Sequence, residues 1–73
     1  MEGIIVQYEA EKGYGFILIE AGKRIFFHVS DCLISEDLIQ VGRIVTFEIQ
    51  KYMKGDRTMI KAVSVRVPEP DQQ

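Results

Sequence analysis

Tryptophan is absent from this chain of 73 residues, cysteine and histidine occur once each, and the two prolines both lie beyond residue 67. Each scarcity excludes something. A lone Cys32 cannot form an internal disulfide, which fits a reducing compartment. It reads as a small apolar group packed after a strand, not as a reactive thiol. A single His28 would need three more donors to hold a metal, and catalysis by acid, base or nucleophile needs a partnered set that the sequence does not display. Neither enzymatic activity nor a metal or cofactor is expected. No run approaches the roughly 20 apolar residues of a membrane span. The start, Met1-Glu2-Gly3, has neither a basic leader nor an apolar signal core, so the expectation is a cytoplasmic protein without a membrane partner. Its size supports a single domain, one that buries only about 60% of its unfolded surface.

What the chain does have is concentrated in residues 12–29. Two runs, Lys12-Gly13-Tyr14-Gly15-Phe16-Ile17 and Ile25-Phe26-Phe27-His28-Val29, flank a turn at Glu20-Ala21-Gly22-Lys23. In strands, alternate side chains point to opposite faces. Tyr14 and Phe16 then share one face with Phe26 and His28, while Ile17, Ile19, Ile25, Phe27 and Val29 share the other. Aromatics also favour strands for packing alone, but the aliphatic face already supplies a core. Burying both faces would need a second layer that so short a chain can hardly provide. Four flat π-systems on one exposed face suit the stacked bases of a single strand. An exposed apolar patch also fits a protein partner.

Charge bears on the same choice. Nine Lys and Arg stand against eleven Asp and Glu, a net −2. Residues 67–73 hold Glu69 and Asp71 and no base, so residues 1–66 are neutral. A neutral domain holds few phosphates and must draw more of its affinity from stacking. Lys12, at the head of the first run, reads as a phosphate anchor. Lys54 lies at a hairpin tip, where either a phosphate contact or a solvated charge fits. Lys51 and Lys61 read as ordinary solvated cations. His28 beside aromatics reads as a stacking or phosphate-contacting group. The Gly13-Tyr14-Gly15 pattern lacks the lysine, serine and following helix of a nucleotide cradle.

Along the chain the pattern is strand after strand. Gly3 to Tyr8 is β-branched, Glu9-Ala10-Glu11 turns, and the second strand spans about 15–20. Ser30-Asp31 offers a helix cap in a crossing segment, and Val45, Phe47 and Ile49 alternate with Thr46 and Glu48. A turn at Gly55 leads to a last strand near 58–66, where Ile60 and Val63 cannot both point inward without a bulge. Five short strands predict an all-β sandwich or barrel. At this size a closed five-stranded antiparallel OB-type barrel is favoured, because closure removes exposed edges.

The two aromatic runs resemble the paired ribonucleoprotein motifs of the cold-shock domain, an OB-type barrel that binds single-stranded RNA and DNA. The resemblance extends to Gly3, nine residues before Lys12, to Ser30, to Gly42 with Val45 and Phe47, and to Lys54-Gly55 followed by Ala62-Val63. It covers roughly residues 2–66 and implies a domain over 1–66 with a disordered acidic tail over 67–73. By matching position it implies a nucleic-acid-binding set of Lys12, Tyr14, Phe16, Phe26 and His28, joined at its margins by Tyr8 and Lys54. The chain departs from the pattern in three places. Val6-Gln7-Tyr8-Glu9 stands where the family carries Lys-Trp-Phe-Asn, Val29 replaces an aromatic, and the loop from Asp31 to Gln40 contains none. Each missing ring removes about 1–3 kcal/mol of stacking. The family implies an RNA chaperone of low sequence selectivity. The losses motivate an alternative, a protein–protein interaction module on the same barrel.

Overall fold

A computed structural model describes residues 1–68. Five strands form a sheet that closes in a ring: β1 (Glu2–Glu9), β2 (Tyr14–Leu18), β3 (Arg24–His28), β4 (Ile44–Lys54) and β5 (Arg57–Arg66), in spatial order β1-β2-β3-β5-β4. All pairings are antiparallel except β3 with β5, which run parallel through Phe26–Lys61 and Phe27–Ala62. Among these residues no helix is long and apolar enough to cross a membrane. The expected acidic tail lies outside the described residues from 69 onward, while Val67 packs against the core.

The interior is the aliphatic face of the two central runs closed by the other strands. Ile5, Ile17, Ile25, Phe27, Ile39, Val45, Phe47, Ala62 and Val65 are buried, with Ile19, Val29 and Ile49 partly buried against them. Residues 20–23 make the hairpin turn between β2 and β3, where the Gly22 amide donates to the Ile19 carbonyl. Gly13 adopts φ +76°, a left-handed conformation that suits glycine. It closes the turn into β2 by donating to the Glu9 carbonyl at 2.7 Å.

Two bulges set the parity of β1 and of β5, the strand that the sequence left ambiguous. In β1, Ile5 pairs with Ile17 and Gln7 with Phe16, so Val6 is an extra residue. In β5, Glu48 faces Val63 and Thr46 faces Arg66, which again leaves one residue over. Ser64 absorbs it at φ +53°. Ala62 and Val65, three apart, thereby both point inward, whereas Ile60 stays 41% exposed. An extra residue in one strand bends it and shifts its facing, which tight closure of a small barrel requires.

The crossing from β3 to β4 differs from the expected Ser30-Asp31 cap. A short 3-10 turn, Val29–Asp31, is capped by His28, whose side chain accepts from the Ser30 amide. A second 3-10 turn covers Glu36–Leu38. Between them Cys32 bridges to Val65, and the Leu33 amide donates to the Val65 carbonyl at 2.7 Å, tying the crossing to β5. Strand β4 runs to Lys54, beyond the alternating stretch, because β5 pairs with it up to Lys54–Arg57 around a two-residue turn led by Gly55 at φ +65°. This outer hairpin stands clear of the core: Lys51, Met53, Lys54, Arg57, Thr58 and Ile60 are all exposed.

Candidate nucleic-acid interface

Strands β2 and β3 pair in the register that the alternation required, Tyr14 opposite His28 and Phe16 opposite Phe26. Directly paired residues share a face, so the four side chains emerge together. Three of them touch. The Tyr14 and Phe26 rings lie 5.8 Å apart and tilted by 32°, while Phe16 meets Tyr14 edge-on at 6.1 Å and Phe26 at 6.0 Å. These separations fall in the preferred range for aromatic pairs, so the rings brace one another while remaining half-buried.

His28 is fixed by Ser30. Its Nδ1 accepts from the Ser30 amide at 3.1 Å and lies 2.9 Å from the Ser30 hydroxyl. An Nδ1 that accepts leaves the proton of the neutral ring on Nε2, which is then the nitrogen free to donate. Lys12 is exposed in the turn two residues before Tyr14. Lys54 is exposed at the end of β4, on the outer hairpin.

Tyr8 is placed elsewhere. The Val6 bulge turns Gln7 outward opposite Phe16 and Tyr8 inward opposite Gly15, so Tyr8 does not join the four. Its ring lies nearly parallel to that of Phe27, with centroids 6.1 Å apart and planes 9° apart. The glycine between them makes this possible: a Cβ on Gly15 would meet the Gln7 carbonyl and come within 2.9 Å of the Phe27 ring. The Tyr8 hydroxyl donates to Glu36 at 2.8 Å, tying β1 to the crossing segment. Desolvation, then the bond to the Glu36 carboxylate, pushes its pKa up to about 12. Cys32 is half-buried, with its thiol 3.7 Å from the His28 carbonyl. Burial and the neighbouring Asp31 carboxylate raise its pKa to about 11.

Lys61, read from sequence as a solvated cation, lies next to Phe26 across the parallel β3–β5 pairing. Its ammonium is 3.3 Å from the Asp31 carboxylate and 5.7 Å above the Tyr52 ring. The only sequence signal for it was its place in the series Lys51, Lys54, Arg57, Lys61.

The 'Cold-shock' DNA-binding domain model matches residues 1–67. The chain belongs to the cold-shock domain family. A cold shock-like protein of Thermotoga maritima is 34% identical over 70 residues, covering 94% of this chain and all of that protein. The Retron Se72 cold shock-like protein of Salmonella heidelberg is 35% identical over 66 residues, 88% of this chain and 92% of that protein. Membership implies single-stranded nucleic-acid binding.

Proposed function

We propose that this cold-shock domain binds single strands, RNA in its cellular role, by stacking unpaired bases on Tyr14, Phe16, Phe26 and His28. Lys12 and Lys54 hold backbone phosphates. The observation that supports the reading best is the mutual contact of three rings on one outward face, with His28 in register beside them. Stacking of this kind is sequence-tolerant because every base has a π-face. A strand held open on the rings cannot pair, so occupancy competes with hairpin formation, and this gives an RNA-chaperone role without any bond being made or broken. The domain should prefer pyrimidine-rich single strands to duplex of the same length, because only unpaired bases present their faces. Competition of each against a fluorescent oligouridylate checks this, and equal affinity for duplex would count against the stacking face.

One observation favours a second reading, a protein-interaction module. On another part of the ring, Ile4 pairs with both Leu18 and Ile44. Ile4 and Ile44 are 42% and 49% exposed. With Glu2 and Glu20 they line a shallow hollow of about 380 Å³, shaped for an apolar side chain flanked by a cation. A partner held there would still bind a Phe26→Ala variant and would lose Ile4→Ser.

A further inference from the structure

Charge is unevenly distributed over this acidic protein. Residues 50–61, the outer part of the β4–β5 hairpin, carry Lys51, Lys54, Arg57 and Lys61 against the single carboxylate of Asp56. Register decides where these cations point. Phe26 pairs with Lys61, Lys61 with Gln50, Met59 with Tyr52, and Arg57 with Lys54. Paired residues share a face, as do alternate residues along a strand, so Tyr52, Lys54, Arg57, Met59 and Lys61 continue the face that carries Phe26. The Lys61 ammonium above the Tyr52 ring shows the same sidedness. From Lys61 to Arg57 the arm runs on for about 13 Å at the usual rise of a strand.

We propose that the outward face of this arm is a second subsite, in which Tyr52 stacks a base and Arg57 and Lys61, beside Lys54 at the tip, hold phosphates of the same single strand as it leaves the four-ring face. The inference rests on the stacking function proposed above. A single-stranded nucleic acid is the occupant because the face combines an aromatic ring with an excess of cations, the pairing that single-strand grooves use, and because it is continuous with the first ring face through Phe26 and Lys61. Asp31 now occupies the Lys61 ammonium. A backbone phosphate arriving there replaces one anion with another, so the arm fills only when a strand is long enough to reach it.

Length dependence tests this. Oligothymidylates from about three to about twelve nucleotides, a range around the site sizes of OB folds, are titrated against the wild-type chain and the double variant Tyr52→Ser/Arg57→Ser. Wild-type affinity should climb with length and then level off. The variant should match it on the shortest strands and fall about 5- to 150-fold behind on the longest, the equivalent of one lost stack. A variant that tracks wild type at every length overturns the arm and leaves the four-ring face standing. If instead Phe26→Ala binds the shortest strands as well as wild type does, the ring-face reading fails and takes the arm with it. Should the double variant fold poorly, Arg57→Ser alone must make the salt dependence on long strands shallower by about 0.7, the share of one phosphate. An unchanged slope overturns the proposal.

Discussion

Phe26 and Phe27 are neighbours in sequence with opposite surroundings: Phe27 is fully buried beneath Tyr8, and Phe26 is half-buried among the outward rings. Phe27→Ala should lower stability by about 3–5 kcal/mol as a core truncation. Phe26→Ala loses ring contacts worth about 1 kcal/mol and should act chiefly on binding. Urea unfolding beside a strand titration checks both, and the reverse pattern would mean a register shifted by one residue. Asp31 offers a test of the opposite sign. Its ion pair is partly exposed and contributes little to stability, so Asp31→Asn should leave folding nearly unchanged, tighten strand binding by freeing Lys61, and steepen the log–log salt slope by about 0.7. An unaltered slope would show that Lys61 meets no phosphate.

At the level of strands, the two bulges decide which side chains face outward. Without the extra Val6, Gln7 would follow Ile5 inward; with it, Gln7 stands outward beside Phe16. Gln7→Trp should therefore add a ring to the face and tighten single-strand affinity by about 1–3 kcal/mol at nearly constant melting midpoint. A large loss of stability instead would place the side chain in the core. The period-2 alternation of β2 and β3 was legible in sequence because both strands are regular, short and joined by a tight turn, and the four outward rings followed from it. The inward turn of Tyr8 was not legible, since no glycine or proline marks Val6 and the tyrosine looked like one more exposed aromatic. In β5 the conflict between Ile60 and Val63 announced a bulge, but only the structure shows Ser64 absorbing it and Val65 taking the inner place. The juxtaposition of Lys61 and Tyr52 with Phe26 depends on the parallel β3–β5 pairing, a long-range closure that local pattern cannot reveal.

At the scale of the whole molecule, two groups among the described residues link stability to alkaline pH. Tyr8 and Cys32 have folded pKa values near 12 and 11, raised from 10.0 and 9.0. Both are neutral when protonated, and the unfolded chain releases these protons first. Their contribution is therefore complete below about pH 9 and is lost as pH rises toward about 12. Urea midpoints across that window should fall, and Tyr8→Phe should flatten the upper part of the fall. Net charge predicts a modest salt response to binding: even with Lys12, Lys54, Arg57 and Lys61 each holding one phosphate the slope is about −2.8, and a slope several units steeper would reveal a basic surface beyond those described. The central claim is that affinity resides in the outward rings of β2 and β3. Its most direct test is the fluorescence titration of a short oligouridylate against the Phe16→Ala/Phe26→Ala variant, with the thermal midpoint recorded on the same sample. Loss of at least about tenfold in affinity with the cooperative transition retained is the predicted result. Unchanged affinity in a folded variant would contradict it.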